Sequence, residues 1–377
     1  MAVDLQDTQI TVNISLSAAP VAEAGFGKLL LLSEEVVPAG SALTVEYSTT
    51  TEIAAGVTAG VITQRLADAM GLALSQSPRP SVVKGGKLSA APHAGTVAAD
   101  IAAILLLDGD WYGAYIDLEG EATVGAENAT LVAAAATIEA LSPGKLLIQG
   151  SHDPDMYNAG VATDPASIEQ AAAREQQVVI YEQLVGAAGD ETQFGAYAHA
   201  ASWLSYDPDD ISAPFDRQTK RILPAATTAA APIALTTAEI SAIYTVAGNA
   251  FVKYGSAPAF LNKGVNPVGR QVHEILTKDW LTARIREDFA SQKVALSNRG
   301  QKWPLDVTGI AIGASLIDAR LQQGVTAQHF EPGQVTKTTG VVDTTNKRIT
   351  YSARAKILGS AVEFVINIAF TADDVNA

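Results

Sequence analysis

Three apolar stretches lie in the middle of the chain: WYGAYIDL (111–118), KLLIQG (145–150) and QVVIYEQ (177–183). Helical sequence separates them, over residues 126–141 and again after Asp164, a residue suited to capping a helix. Strands that alternate with helices in this way form right-handed βαβ units and a mostly parallel sheet. KLLIQG is continuously apolar, as expected for a strand buried on both faces. The predicted fold class of this region is therefore α/β.

The same alternation continues toward the N-terminus. KLLLLS (28–33) and ALTVEYS (42–48) predict two short strands, and a helix is expected from about Ile53 to Ala73. A further helix is predicted over residues 94–105. Before all of these, ITVNISL (10–16) alternates apolar and polar residues, which is typical of a strand with one buried face.

The C-terminal part contains two predicted helices between Lys263 and Gln323. In the first, Asp279 is a candidate N-cap and the apolar stripe consists of Leu281, Ile285, Phe289 and Leu296. The second is predicted to end at Gly324, and its shared face consists of Ile310, Ala314, Ile317 and Leu321. Thr237 can cap a shorter helix that follows a charge-free, linker-like stretch over residues 225–237.

Two strands are predicted at the C-terminal end. In the first, RITYSARA (348–355), Ile349 and Tyr351 alternate with polar residues after a turn at Asn346. In the second, the alternating apolar residues are Val362, Phe364, Ile366 and Ile368. Both ends of the chain are therefore strand-like, and the fold is α+β when the whole chain is considered.

Composition excludes several classes of function. The chain has 377 residues and no cysteine, which removes disulfides, thiolate metal sites and cysteine nucleophiles. A net charge of −15 disfavours binding to nucleic acid or anionic lipid over the whole surface. The most apolar run, Ile101–Leu107, is too short to span a membrane, and the first residues lack the pattern of a signal peptide. We expect a soluble, non-secreted protein.

The charge is unevenly distributed. Residues 1–250 contain 10 Lys and Arg against 29 Asp and Glu, a net charge of −19, whereas residues 251–377 have a net charge of +4. Such asymmetry indicates two faces with different partners, although two domains that merely differ in composition would produce it too. Within the basic part, Arg284, Arg286 and Lys293 are candidates for a binding face, with an ordinary solvated helix face as the alternative.

No motif assigns a catalytic, metal-binding or cofactor-binding residue. The five histidines are far apart in sequence, and AGFGK (24–28) lacks both the spacing and the order of a phosphate-binding loop. The acidic clusters at 108–110, 152–155 and 207–210 are better explained as turns and caps than as metal ligands. One alternative remains from fold analogy: His152 and Asp153 follow the strand KLLIQG, where α/β enzymes bind ligands.

Several segments together resemble the tail sheath proteins of contractile bacteriophages and related injection particles, in particular a divergent branch formerly described as a domain of unknown function. The segments are ITVNISLSAAPVAEAGFGKLLLLSEE, LSQSPRPSVVKGG, GDWYGAYID, and the long stretch from Gly264 to Val325 with the strand pair that follows. Lys302-Trp303-Pro304-Leu305 departs from the usual Lys-Ile-Pro-Tyr of that branch.

The resemblance implies a domain plan. Residues 1–20 would be an N-terminal strand arm belonging to an inner domain, 21–235 an α/β outer region, and 236–377 a C-terminal inner domain with a terminal linking strand. Strands at both ends suit pairing with neighbouring subunits. The residues expected in these intersubunit arms are Ile10, Val12, Ile14, Leu16, Val362, Phe364, Ile366 and Ile368. Arg284, Arg286 and Lys293 would face the tail tube.

The function implied is that of a structural, non-enzymatic subunit of a contractile tail sheath, located in the phage virion after assembly in the host cytoplasm. It would form stacked hexameric rings around the tail tube and contract to drive the tube through a bacterial envelope. Its partners would be other copies of itself, the tube protein, and baseplate and terminator proteins, with no cofactor, nucleic acid or membrane insertion. A tail tube or adaptor protein is the main alternative, and an α/β enzyme is a further one.

Overall fold

The computed structural model describes most of the chain between residues 25 and 359. The described ranges are 25–118, 120–158, 160–182, 194–216, 235–252, 260–345 and 347–359. The predicted arms, over residues 1–20 and 362–377, and most of the predicted linker at 225–237 lie outside them.

The described residues form an eight-stranded sheet in the order β2-β3-β1-β4-β5-β6-β7-β8. Its six central strands are parallel, and the two edge strands run antiparallel to their neighbours. This arrangement confirms the α/β prediction. The strands are β1 (Leu29–Ser33), β2 (Thr44–Tyr47), β3 (Val83–Lys87), β4 (Gly113–Ile116), β5 (Leu146–Ser151), β6 (Gln177–Tyr181), β7 (Asn249–Val252) and β8 (Phe260–Asn262).

The central strands are buried on both faces, as the continuous apolar sequence predicts. All five residues of β1 and all six of β5 are buried. Alternate residues face opposite helical layers, so Leu30 and Leu32 belong to one apolar cluster and Leu29 and Leu31 to another. The described helices are α1 (Thr50–Thr58), α2 (Gln64–Leu74), α3 (Val97–Leu107), α4 (Val124–Glu139), α5 (Pro165–Ala171), α6 (Gly195–Leu204), α7 (Thr237–Thr245), α8 (Val272–Asn298) and α9 (Val307–Thr326).

The helices form a layer on each face of the sheet. Helices α3, α4, α5 and α7 supply the clusters on one face, and α2, α6 and α8 supply the cluster on the other. Helix α9 packs against α8 and adds Ile317 and Leu321 to that second cluster. The sheet therefore lies between two helical layers, one of them thickened by α9.

Two small antiparallel sheets accompany α9. Strand β9 (Phe330–Val335) pairs with β12 (Ala355–Ile357), and β10 (Thr339–Asp343) pairs with β11 (Arg348–Ser352). The Oη of Tyr351 in β11 donates a hydrogen bond to the carbonyl of Gly309 at 2.8 Å, which anchors the β10–β11 hairpin to α9.

The single helix predicted from Ile53 to Ala73 is wrong, because the chain forms α1 and α2 instead. Gly60 has a positive φ of 68°, and the N–H of Val61 returns to the carbonyl of Gly56 at 2.9 Å, which closes the end of α1. The Thr63 side chain then accepts from the N–H of Leu66 and starts α2.

Three predicted helix boundaries also differ from the structure. Asp279 is not an N-cap but lies within α8, which begins at Val272. Gly324 does not follow α9 but lies within it, against the ring of Phe330. Thr236, one residue before the predicted Thr237, caps α7 and forms a reciprocal capping box with Glu239.

The boundary proposed between residues 235 and 236 does not divide the sheet. Strands β7 and β8 follow this boundary and belong to the same eight-stranded sheet as β1. Helix α8 packs directly on that sheet, where Tyr112 Oη donates to Asp279 Oδ2 at 2.8 Å. The two regions therefore share one core in the described part of the chain.

Candidate assembly surfaces

Helix α8 carries the predicted apolar stripe on its buried side. Leu281, Ile285, Phe289 and Leu296 are all buried, as the sequence predicts. Of the three predicted tube-facing residues, Arg286 is half-buried and Lys293 is exposed. Residues 286 and 293 are seven apart and so lie on the same side of the helix. Within the described residues neither side chain has an ion pair, so this side of α8 presents two uncompensated positive charges.

Arg284 occupies a different environment from the other two candidates. It is 9 % exposed, and its guanidinium binds Asp209 at 2.5 Å and Glu287 at 2.8 Å. Burial disfavours its charge, but the hydrogen bonds that the guanidinium donates to both carboxylates outweigh burial and raise its pKa above the ordinary value. The charge of Arg284 is therefore compensated within the chain, unlike the charges of Arg286 and Lys293, and its contacts support the fold.

The points where both predicted arms would join the described part of the chain lie near α8. At the N-terminal side, the Arg284 guanidinium lies 5.9 Å from the centre of the Phe26 ring. At the C-terminal side, the N–H of Leu358 donates to the carbonyl of His329 at 2.9 Å. The His329 ring stacks on Trp280 with centroids 4.5 Å apart. This connection could not be predicted from the sequence, because Trp280 and His329 belong to no recognisable motif.

The β10–β11 hairpin is a second candidate surface. Within the described residues its two strands pair only with each other, so each has an unpaired outer edge. The inward residues Ile349 and Tyr351 are half-buried, whereas Val341 on the opposite face is 71 % exposed. Unpaired N–H and C=O groups along a strand edge can accept a strand from another chain.

The position where doubly wound folds bind ligands is filled by side chains of this chain. Strand order reverses between β1 and β4, and ligands in such folds bind beyond the carboxyl ends of the strands at that point. Here the guanidinium of Arg65 binds Asp117 and also Glu35 at 3.0 Å, while Ser33 donates to Asp117 at 2.7 Å. These side chains therefore form hydrogen bonds and ion pairs with one another.

His152, which follows β5, pairs with a buried carboxylate of α4. His152 Nε2 lies 3.2 Å from Glu127 Oε2. Burial, together with the carboxylates of Glu121 and Asp153, raises the pKa of Glu127 to about 7, and burial lowers the pKa of His152. A nearby depression of about 570 Å³ is lined by Asp153 but by neither member of the pair.

The acidic clusters form the turns that the sequence predicts: Asp108 accepts from the N–H of Asp110 at 3.2 Å, and Asp207 accepts from the N–H of Asp209 at 2.9 Å. Asp108 also pairs with Lys84 at 2.8 Å, and Asp209 pairs with Arg284. Asp153 accepts from the N–H of Asp155 at 2.9 Å and begins a short helical turn. Among the described residues, no group of three or more histidine and carboxylate side chains is arranged to hold a metal ion. None of the helices in those residues is both long and apolar enough to cross a membrane.

Comparison with solved structures places this arrangement among known folds. A chain in the cryo-EM structure of the anti-feeding prophage baseplate matches with a TM-score of 0.64 and 11 % identity, over 96 % of this chain and 98 % of that one. A chain in the contracted sheath complex of an extracellular contractile injection system matches with a TM-score of 0.57 and 12 % identity, over 97 % and 95 %. The sheath tail protein of Listeria innocua matches with a TM-score of 0.52 and 8 % identity, over 90 % and 97 %.

Each match covers at least nine tenths of this chain and of the matched chain. The chain therefore has the fold of proteins found in contractile tails and injection systems. More particularly, its fold is that of tail sheath proteins, which confirms at the level of fold the resemblance found in the sequence. No family model and no curated protein matches the sequence itself.

Proposed function

We propose that this protein is the sheath subunit of a contractile phage tail or related injection particle. The observation that carries the proposal is the match of 97 % of this chain to a chain of a contracted sheath complex. A sheath subunit works by assembling and changing its packing, and it needs no catalytic group. At the point where strand order reverses, between β1 and β4, the polar side chains bind one another, which fits that role.

In the assembled sheath, copies of the chain form stacked hexameric rings around the tail tube. Six-fold symmetry is a property of the anti-feeding prophage baseplate in which a similar chain was found. A signal from the baseplate lets the sheath contract and drive the tube through a bacterial envelope. The location that follows is a phage tail, assembled in the host cytoplasm, with terminator and baseplate proteins at its ends.

The arms connect subunits in this proposal. The alternating residues at 10–16 and 362–368 supply strands, and the unpaired edges of the β10–β11 hairpin supply acceptors. Each backbone hydrogen bond adds only about 1 kcal/mol net. In a lattice every subunit makes the same set of backbone hydrogen bonds with its neighbours, so the subunits stay connected while they rotate.

The tube contacts the basic side of α8 in this proposal, through Arg286 and Lys293 and not through Arg284. Exposed charges on a helix favour encounter with a surface of opposite sign. The tube protein is therefore expected to present acidic side chains at the sheath contact.

Sedimentation combined with negative-stain imaging of the purified chain tests the proposal. A sheath subunit is expected to form long tubes with a cogwheel cross-section. A tube or adaptor protein would form smooth narrow tubes or isolated rings, and an enzyme would remain a small oligomer. Either of the last two results would reject the proposal.

A further inference from the structure

Two histidines hold the C-terminal end of the described chain against α8. His329 lies in the turn between α9 and β9, and its carbonyl accepts from the N–H of Leu358 at 2.9 Å. His273 lies in the first turn of α8, and its Nε2 is 3.3 Å from the carbonyl oxygen of Leu358. Both backbone groups of Leu358 are therefore bound by histidine residues. We call His273, His329 and Leu358 the C-terminal latch.

The hydrogen-bond partners of His329 suit a neutral ring. Its Nε2 lies 2.7 Å from the carbonyl oxygen of Pro208, and a carbonyl oxygen can only accept, so Nε2 carries a hydrogen. Its Nδ1 lies 2.6 Å from the hydroxyl oxygen of Thr277. In the neutral ring Nδ1 accepts from this hydroxyl. A second proton on Nδ1 would face the hydroxyl hydrogen, so the ring can become charged in place only if that hydroxyl turns away.

Both rings of the latch are closed off from water. His329 is 0 % exposed and His273 is 4 % exposed. The His329 ring is also covered by Trp280, with the two ring planes 13° apart. Burial lowers the pKa of both histidines below the ordinary value, and this effect exceeds that of the hydrogen bonds to the carbonyl oxygens of Leu358 and Pro208, which raise it.

One carboxylate favours a charge on His329. Asp209 raises the pKa of that ring, but the effect of burial is larger. The same carboxylate already binds the guanidinium of Arg284 at 2.5 Å and accepts from the indole N–H of Trp280 at 2.9 Å. Asp209 therefore gives a protonated His329 only part of the compensation that a buried charge needs.

The other charged groups on the packed elements interact elsewhere. Glu274, next to His273 on α8, interacts with Arg270, and burial raises the pKa of its carboxyl group. On the small sheet, Glu331 of β9 and Lys356 of β12 pair with each other at 2.8 Å. The charged group that affects the pKa of His273 is the ring of the other latch histidine, which lowers it. Charging one ring therefore makes it harder to charge the second.

We propose that the C-terminal latch is a pH-sensitive device: it holds the β9–β12 sheet and Leu358 against α8 while both histidines are neutral, and acid opens it. When the sheet leaves α8, both rings meet water and take up protons at the ordinary pKa of about 6.5. The open state then binds more protons than the closed state, so falling pH shifts the equilibrium toward it. Each histidine can raise the opening equilibrium constant by up to about tenfold per pH unit below 6.5.

At neutral pH the open state is a minor one. Opening also withdraws the fully buried ring of Phe330 from its place against Gly324, and this loss of packing keeps the latch closed. Acid therefore adds to a local opening that already occurs at a low level, without requiring the eight-stranded sheet to unfold.

The position of the latch gives its opening a consequence for assembly. Residues 362–377, proposed above as a linking strand, follow Leu358 closely in the chain. Opening would detach the root of that strand from the core of its own subunit. The latch itself is argued from contacts of described residues alone, so it does not depend on the proposed sheath function.

Native-state hydrogen exchange of the full chain tests this inference, with rates corrected for the pH dependence of intrinsic exchange. The amides of β9 and β12 report latch opening, and those of β5 report global unfolding. His273→Gln and His329→Gln remove the titrating groups, singly and together. His199→Gln is the matched control, because His199 is also buried, with Nε2 2.8 Å from the carbonyl oxygen of Phe215. Thermal unfolding checks that each variant folds.

The opening equilibrium constant of the β9 and β12 amides is expected to rise at least tenfold between pH 7.5 and pH 5.5, in the wild type and in His199→Gln. The amides of β5 should change less. His273→Gln should reduce the rise, and the double variant should abolish it. Wild-type amides of β9 and β12 that do not respond to pH, or a double variant that responds as the wild type does, would overturn the inference.

A titration of the wild type by NMR keeps the test valid even if the variants fail to fold. The two latch rings are identified by their contacts with Trp280 and Leu358, and both should titrate below the ordinary histidine value of about 6.5. Titration at or above that value would reject the latch. Negative stain then separates the two proposals: tubes without a pH-sensitive latch leave the sheath function standing, whereas a pH-sensitive latch without tubes rejects the sheath function alone.

Discussion

Arg284 and Asp209 form a two-pronged ion pair between α8 and the segment that follows α6. Arg284 Nε donates to Oδ1 of Asp209 at 3.1 Å, and Nη2 donates to Oδ2 at 2.5 Å. The same carboxylate accepts from Trp280 Nε1 at 2.9 Å. Phe26, near the start of the described residues, lies over the guanidinium. His329, which binds Leu358 near their end, stacks on Trp280. The Arg284–Asp209 pair therefore links the two ends of the described chain.

Loss of the pair should destabilise the fold. We expect Arg284→Ala to lower the free energy of unfolding by roughly 2–4 kcal/mol, because it leaves the Asp209 carboxylate partly buried without its main partner. Urea unfolding followed by circular dichroism measures the change. Arg286→Ala is the matched control and should change stability by less than about 0.5 kcal/mol. Equal effects of the two variants would contradict the structural role of Arg284.

Asp279 should make stability depend on pH. Burial raises its pKa to about 6, although Tyr112 and Gln176 donate to the carboxylate. The unfolded chain has an ordinary pKa near 3.9, so this group contributes stability below pH 4 that is lost as the pH rises to about 6. Asp279→Asn is therefore expected to stabilise the protein by about 2–3 kcal/mol at pH 7.5 and by little at pH 4.

Urea unfolding at several pH values checks that expectation, because it measures the free energy of unfolding of the wild type and of Asp279→Asn. The gain should grow between pH 4 and 6 and then stay constant. A neutral amide can keep the bond from Tyr112 and also donate to Gln176 Oε1, which has no partner among the described residues. A stability difference that does not change with pH would contradict the burial of an ionisable group here.

Two helical glycines should respond oppositely to the same substitution. At Gly324 an added Cβ would lie 2.6 Å from Cδ2 of the buried Phe330 ring, whereas at Gly71 nothing lies within 4 Å. We expect Gly324→Ala to destabilise by about 1–3 kcal/mol through overpacking. Gly71→Ala should stabilise by about 0.5–1 kcal/mol through helix propensity. Thermal unfolding measures both, and stabilisation by Gly324→Ala would show that α9 does not pack this closely.

Deletion of residues 362–377 should separate folding from assembly. The eight-stranded sheet and its helical layers are built from residues between 29 and 326, so the truncated chain is expected to remain folded. Polymerisation should be abolished, because the linking strand is gone. Sedimentation velocity follows assembly. Tubes from the truncated chain would contradict the strand-linking proposal.

Charge reversal on α8 should weaken binding to the tail tube. Arg286→Glu with Lys293→Glu is expected to reduce co-sedimentation with tubes at least tenfold, and added salt should weaken the wild type in the same direction. Assembly of the sheath chain alone should be unaffected. Lys87→Glu, at the exposed end of β3, serves as the control for reversal of a single exposed charge away from α8 and from the hairpin. Unchanged co-sedimentation would remove the tube assignment from this side of α8.

The central architecture could be predicted from sequence because its signals are local. KLLIQG is apolar throughout, and Asp164 followed by Pro165 starts α5 as predicted, with the Asp164 side chain accepting from the N–H of Ser167. Patterns of this kind depend on a few neighbouring residues, so they can be recognised without knowledge of tertiary contacts.

The errors arose where a distant contact determines the role of a residue. Asp279 has the sequence context of an N-cap, but its partner is Tyr112, 167 positions away. Gly324 has the context of a helix end, but the ring of Phe330 requires a glycine within the helix. Arg284 was grouped with Arg286 by charge alone, and only the fold reveals Asp209 beside it. The strand-like arms remain predictions, since they lie outside the described residues.

A helical reconstruction by cryo-EM of the assembled protein tests the central claim most directly. The account predicts tubes built from stacked rings of six copies, in which strands from the chain ends of one copy pair with the β10–β11 hairpin of another. Purified protein that remains monomeric, or that forms rings without a continuous tube, would contradict the account.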